Sequence, residues 1–515
     1  MRANGFNLTL AMQHWYGIHD ILGRSASDSA LKKRTAVTFD GVAHDYASLQ
    51  ERVLKLRGGL AANRIAPGDR VAVLMGNSLA WIEAMFAITL AGAICVPVNV
   101  LLRGSQIDHV LRDCGAKMIV VDALAERALA ELAVRPEIAL VVGDVQTPAD
   151  MKRLAFEDVV ASGAATMPEV LPKLLDPAMI YYTSGTTGQP KGAVHTHSGI
   201  LWNTFHQVAE VGLTKEDVYL LVPSLSWSAG FHDVTMALWW IGGTVAVLPS
   251  GNMTVEKIVT GVEESGATHV LMVPTLLKQL ILNDDQMARL RKTKLRRICT
   301  GGEPVPQAII DSVHGALPDC RIVQLYGFSE FPLMTTILSA EDSPTRAHNT
   351  GKASSIVTLA VCTRDGVITD RGEGEVLVRS PATMIGYHNR PETNAETFKD
   401  GWFNTGDTGR IDEDGFMTLT GRVKDMIISG GMNVYARDVE EVLYKLDGVR
   451  EAAVVGIPDD KWGEAVVAIV VVNDVNPSKR MRSQRPVRTR FPRSCVRGIS
   501  CSGPRCCRAP RRARS

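Results

Sequence analysis

At 515 residues, with 45% apolar and 22% charged residues and a net charge of +1, the chain is larger than one hydrophobic core organises, so a large domain and a smaller one are expected. The longest apolar stretch, 84–100, is interrupted by Gly92 and Pro97, and the first dozen residues lack a charged start followed by an apolar core. Neither a transmembrane segment nor a secretory signal is therefore expected. The near-zero charge is an average: residues 477–515 hold 13 Lys and Arg and no Asp or Glu, so the rest of the chain is acidic. Cys95, Cys114, Cys299, Cys320 and Cys362 are scattered singly, which suggests reduced thiols in the cytoplasm, while Cys495, Cys501, Cys506 and Cys507 crowd the tail without zinc-site spacing.

The elements alternate from the start. Helices are expected over 46–65, 79–91 and 105–114, and strands over 70–74 and 93–98, a pattern that argues a parallel or mixed sheet covered by helices. Short apolar runs at 218–222, 244–248, 269–273, 297–300 and 322–326 continue it. Around 372–420 the texture becomes short strands and turns, with Gly372-Glu373-Gly374 read as a turn and Asp400-Gly401 and Asp414-Gly415 as hairpin signals. Beyond Arg422 a strand at 426–429, a helix at 436–446 and strands at 452–456 and 465–472 predict a small α+β unit. From 475 on, Arg, Pro, Ser and Cys without apolar periodicity predict no packed structure. No specific nucleic-acid binding is expected, since charge alone would support it.

One run stands out. Residues 183–192 read Thr-Ser-Gly-Thr-Thr-Gly-Gln-Pro-Lys-Gly after the apolar Met179-Ile180-Tyr181-Tyr182. Gly185 and Gly188 permit backbone amides to turn toward phosphate oxygens, with the hydroxyls of Thr183, Ser184, Thr186 and Thr187 beside them and Lys191 as a point charge. The spacing is not that of the P-loop, and Lys191 follows Pro190 rather than opening a helix. Tyr326-Gly327-Phe328-Ser329-Glu330 and Thr300-Gly301-Gly302-Glu303-Pro304 each follow an apolar strand, where ligands bind in open α/β sheets. Asp407 and Arg422 flank the Asp414-Gly415 hairpin, which would bring a carboxylate and a guanidinium together.

These motifs together resemble the adenylate-forming superfamily of acyl-CoA synthetases, luciferases and peptide-synthetase adenylation domains, over about 38–472. The resemblance implies an α/β fold: a large N-terminal domain (1–423) of helix-covered mixed sheets with a small β-barrel-like subdomain, an incomplete α+β lid domain (424–474), and a non-family tail (475–515). It implies an ATP-dependent, AMP-forming acid:CoA ligase of fatty-acid type, with an aryl-acid ligase or a non-catalytic adenylate-binding protein as alternatives. ATP, Mg²⁺ and coenzyme A would be its co-substrates and cofactor.

By the same resemblance Tyr326 stacks on adenine beside Gly301, Gly302, Glu303 and Pro304, Gly327 belongs to that shelf, Ser329 meets the α-phosphate and Glu330 reaches Mg²⁺. Asp407, with Arg422 nearby, takes the ribose hydroxyls. Lys424 is the pivot of the small domain, and Gly430 and Gly431 line the pantetheine channel. In the segment 221–233, Trp227 stands where the family commonly has a histidine, and with Gly230 it is the candidate acyl-pocket residue; His195, His197 and His269 show no acid–base partner and are read as structural. Family members place a lysine late in the small domain in a Pro-x-x-x-x-Gly-Lys setting. No such pattern follows Val472 here, so slow adenylation is expected.

Overall fold

The computed structural model describes residues 17–183, 189–303, 305–429, 432–444, 446, 448–459, 462–472 and 496–500. It divides into two compact units, 1–359 with 378–403 and 360–377 with 404–515. The expected boundary at Lys424 falls inside the second of these.

In the first unit, local signals set the helices. Asp45 accepts a hydrogen bond from Ser48 N–H and so caps the helix Tyr46–Ala62, which buries Leu49, Val53, Leu56 and Leu60 on one stripe. Ser78 caps Leu79–Leu90 in the same way, and every residue from Trp81 to Leu90 is buried, so this helix runs through the core rather than along its surface. Its one carboxylate, Glu83, is held by Arg52 through two N–H donors at 2.5 and 3.0 Å, which compensates the burial of charge. Among the described residues no helix is long and apolar enough to cross a membrane.

Two mixed sheets carry the unit. One has eight strands in the order Gly386–Tyr387, Lys191–Thr196, Pro177–Thr183, Ile94–Pro97, Arg70–Leu74, Met118–Val121, Ile138–Val141, Lys152–Ala155. The other has nine: Lys352–Ala353, Phe331–Leu338, Arg321–Phe328, Arg297–Gly301, His269–Leu271, Val218–Leu221, Thr244–Val247, Thr35–Phe39, Val42–Asp45. Residues from both sheets and their helices join in one buried cluster around Trp81, Phe86, Phe231 and Trp239. Helix-covered mixed sheets are thus found as expected, with most strand bounds within two residues of the sequence reading.

The second unit contains a small antiparallel sheet in the order Ile368–Thr369, Thr358–Cys362, Gly372–Arg379, Trp402–Ile411, with Met417–Arg422 also on the last of these. The turn expected at Gly372-Glu373-Gly374 is corrected: these residues open the strand Gly372–Arg379. Gly374 is there for close approach, since a Cβ would lie 2.0 Å from the Cys362 carbonyl oxygen. The Asp414-Gly415 hairpin forms as read, with Gly415 at φ +85°. Farther on, Met426–Ser429, Met432–Tyr435, Val449–Asp459 and Gly463–Val472 form a second sheet with the helix Ala436–Tyr444. The expectation of no structure after 475 is corrected for five residues: Val496–Ser500 pairs in parallel with Val466–Val470, whose strand edge offers unpaired backbone groups.

Candidate active site

The lysine of the glycine-hydroxyl run begins a strand. Thr183 and Lys191 are register partners at the mouth of a hairpin between Pro177–Thr183 and Lys191–Thr196, so the intervening loop hangs from two paired strands. Ser184, Gly185, Thr186, Thr187 and Gly188 lie outside the described residues. The loop's exit is fixed by the His109 ring, whose Nε2 is 2.9 Å from the Pro190 carbonyl oxygen. Lys191 Nζ sits 5.3 Å from the centroid of the Tyr387 ring, a cation–π arrangement.

Tyr326-Gly327-Phe328-Ser329-Glu330 also lies at a strand end, as read, but the chain does not run on into a loop. It reverses at Ser329 and Glu330 into Phe331–Leu338, with Phe328 opposite Phe331 and Pro332 in a bulge. Tyr326 is largely buried with its ring edge-on to Phe328, and Phe328 stacks on Phe403 at 5.3 Å. The backbone of the turn is held from two sides. His195 Nε2–H donates to the Ser329 carbonyl at 2.8 Å, and Met384 N–H donates to the Glu330 carbonyl at 2.8 Å. The Glu330 carboxylate accepts from the Tyr387 hydroxyl at 2.7 Å.

Gly301 ends the neighbouring strand, in register with Leu325, the residue before Tyr326. A Cβ on Gly301 would meet the Leu325 carbonyl oxygen at 2.4 Å, so glycine is required for the two strands to lie this close. Gly302 follows at φ +84° and Glu303 is exposed; Pro304 is outside the described residues.

In the second unit Asp407 and Arg422 are direct partners across the hairpin, Arg422 Nε 3.2 Å from Asp407 Oδ1. Thr405 Oγ1 donates to the Val376 carbonyl and accepts from Asp407 N–H at 3.0 Å, which sets the backbone that presents the carboxylate. Lys424 lies in a short exposed 3₁₀ turn, Val423–Asp425, directly after this strand. Gly430 and Gly431 are outside the described residues.

Trp227 precedes the short helix Ser228–His232 and is 52% exposed, so it is not part of the hydrophobic core. Gly230 is buried against the Ser224 carbonyl, 2.1 Å from where its Cβ would be. The three histidines are buried and held neutral: burial pushes His195 down to about 4, His197 to about 3 and His269 to about 4. His197 Nδ1 accepts from Ile18 N–H. The expectation that His269 lacks a partner is corrected, because its Nδ1 is 3.6 Å from Asp217 Oδ1 and 2.8 Å from Thr268 Oγ1.

Tyr387 is the residue that sequence reasoning missed. Its only signal is a Gly-Tyr pair shortly before Pro391, which opens a helix at its first turn. It becomes visible because the two-residue strand Gly386–Tyr387 pairs with Val194 and Ala193, next to the lysine.

The AMP-binding enzyme family matches residues 25–388, and the AMP-binding enzyme C-terminal domain matches residues 438–493. The chain belongs to the AMP-binding enzyme family. Within the AMP-binding enzymes it is 34% identical over 439 residues to the long-chain-fatty-acid–CoA ligase FadD13 of Mycobacterium tuberculosis, covering 84% of each chain. It is also 34% identical over 441 residues to a feruloyl-CoA synthase of an Amycolatopsis species, covering 85% of this chain and 86% of that one. Among solved structures it is similar to a fatty acyl CoA synthetase of M. tuberculosis, with a TM-score of 0.77 and 30% identity over 94% of both chains. As a member of this family the chain is an AMP-forming acid–thiol ligase.

Proposed function

We propose that the chain joins a fatty acid to coenzyme A in the cytoplasm, through an acyl-adenylate. The observation that carries this reading is the grouping of Lys191, Tyr387 and Glu330, which sets a cation and a carboxylate on two sides of one phenol at the ends of two β-hairpins. In the first step a substrate carboxylate oxygen attacks the α-phosphorus of ATP, and the bond to pyrophosphate breaks. In the second the thiol sulfur attacks the acyl carbon, the bond to AMP breaks and the thiol proton is lost. No protein nucleophile is needed; the residues position groups and neutralise charge.

Lys191 and the loop 183–188 would hold the leaving pyrophosphate. Tyr326, Gly327 and 301–304 would take the adenine, Ser329 the α-phosphate, and Asp407 with Arg422 the ribose. Lys424 would be the pivot between the two steps, Gly430 and Gly431 would border the pantetheine, and Trp227 with Gly230 the acyl chain. The residues suit Mg²⁺ carried by the nucleotide. Among the described residues no group of three or more His, Cys, Asp or Glu could hold a metal unaided, whereas one carboxylate at a turn, Glu330, suits an ion that keeps most of its waters and binds phosphate. When bound, it would neutralise charge on the departing pyrophosphate.

The relatives name both a long-chain fatty acid and a feruloyl group. Fatty acids are proposed as the main substrates, with aryl acids as the alternative. We further propose that adenylation is slow, because no Pro-x-x-x-x-Gly-Lys follows Val472; loss of one preorganised charge typically costs about 10² to 10³ in rate. The same observation favours a second reading, adenylate binding without turnover. Pyrophosphate release with a panel of fatty and aryl acids, beside capture of synthetic acyl-AMP by CoA, tests both. Slow release with brisk capture is expected. Rapid release overturns the impairment, and ATP binding with neither step supports the second reading.

A further inference from the structure

Tyr387 is bound into the site at more points than a packing residue needs. Its strand is zipped to the lysine strand: Ile385 N–H donates to the Val194 carbonyl at 2.9 Å and His388 N–H to the Gly192 carbonyl at 2.7 Å. The same segment reaches the other hairpin through Met384 N–H on the Glu330 carbonyl. Asn394 closes around it from the helix that follows, its Oδ1 accepting from Tyr387 N–H at 2.7 Å and its Nδ2 donating to the Tyr387 carbonyl at 3.0 Å. The backbone is thereby fixed relative to both hairpins, and the side chain then addresses both charged groups. The hydroxyl holds a Glu330 oxygen, and the ring face receives the Lys191 ammonium.

Lys191 and Glu330 are long side chains with several free torsions, and an unassisted pair would lose that freedom each time ATP bound. One rigid phenol touching both removes part of that cost in advance, since it sets the separation of cation and carboxylate before the nucleotide arrives. We infer that Tyr387 is a positioning residue for ATP, acting through Glu330 by its hydroxyl and through Lys191 by its ring. This rests on the roles given above to those two residues.

The two contacts are separable. Tyr387→Phe removes the hydroxyl and keeps the ring; Tyr387→Leu removes both. Calorimetric titration of ATP into the full chain, once with Mg²⁺ and once with EDTA, is compared for these variants, Glu330→Gln and Lys191→Ala, with thermal melts alongside. Tyr387→Phe should weaken Mg·ATP about fivefold and metal-free ATP less than twofold, with an unchanged melt, because only the Glu330 arm is lost. Tyr387→Leu should weaken ATP in both titrations, since the Lys191 arm goes too. Parent-like binding of Mg·ATP by Tyr387→Phe overturns the inference. So does equal weakening in both titrations with a lowered melt, which marks a packing role. If Glu330→Gln and Lys191→Ala both bind Mg·ATP as the parent does, the underlying site assignment itself is wrong, an outcome that the tyrosine variants alone do not produce.

Discussion

Asp407 and Arg422 stand opposite one another on adjacent antiparallel strands, with Arg422 Nε 3.2 Å from Asp407 Oδ1, and the pair is accessible on the arginine side. An ion pair of that exposure adds about 0–1 kcal/mol to stability, so its placement at the end of a hairpin calls for another use. If Asp407 takes the ribose hydroxyls, Asp407→Ala should raise the KM for ATP about tenfold while the melting temperature hardly moves. Arg422→Met should raise it less, because the carboxylate stays. Steady-state kinetics and melts of the two variants check this; unchanged KM in both would leave the pair a strand-to-strand contact and nothing more.

Gly301 offers a test of the proposed adenine shelf. Its missing Cβ would stand 2.4 Å from a backbone oxygen, that of Leu325, which cannot swing aside as a side chain can. Gly301→Ala should therefore push apart two strands whose ends carry Gly302 and Tyr326, at a stability cost of about 1–3 kcal/mol. The KM for ATP should rise with it. Gly315→Ala, at a helical position with open space around the built Cβ, is the control: it should leave the KM unchanged and raise stability by up to about 1 kcal/mol.

How far the site could be read from residues alone depends on how local its geometry is. The strand before Tyr326 and the hairpin that joins Asp407 to Arg422 are set by apolar runs and by Asp414-Gly415, signals contained within a few residues, and both are found. The reversal at Ser329 and Glu330 is not signalled, because Ser-Glu is not one of the dipeptides that favour a two-residue hairpin turn and Pro332 argues against a strand after it. Tyr387 is hidden for a different reason: its hydroxyl partner is 57 residues away, and only the pairing of Gly386–Tyr387 with Ala193 and Val194 brings them together. His269 likewise finds Asp217 only through the parallel pairing of Val218–Leu221 with His269–Leu271.

The buried histidines predict the acid limit of stability. His195, His197 and His269 titrate near 4, 3 and 4 when folded because burial disfavours the charged ring, while unfolded imidazoles titrate near about 6.5. Below that pH the unfolded chain binds more protons than the folded one, so stability falls as the pH drops from about 6.5 toward 4, each ring contributing up to about 1.4 kcal/mol per pH unit. Melting temperature should be flat from pH 8 to 7 and decline below 6.5. His197→Asn, whose Oδ1 replaces the ring nitrogen that accepts from Ile18 N–H, should make that decline shallower. An equal slope in parent and variant would show that His197 does not contribute.

Substitution of Lys191 offers a test that separates the two half-reactions. The residue begins the strand that follows the glycine-hydroxyl loop, its position fixed by pairing with Thr183, and its ammonium is set against the Tyr387 ring. If Lys191 holds the leaving pyrophosphate as proposed, it serves the first step alone, because no pyrophosphate leaves in the thioester step. Lys191→Ala should therefore lower pyrophosphate release by about 10² to 10³ while CoA capture of supplied acyl-AMP falls less than about threefold. Lys191→Arg keeps the charge but exchanges a compact ammonium for a planar fork, and should restore only part of the first rate. Parallel single-turnover assays of both steps decide the matter. An equal fall in the two would mean that the lysine supports the site as a whole, through the hairpin it opens, rather than the leaving phosphates.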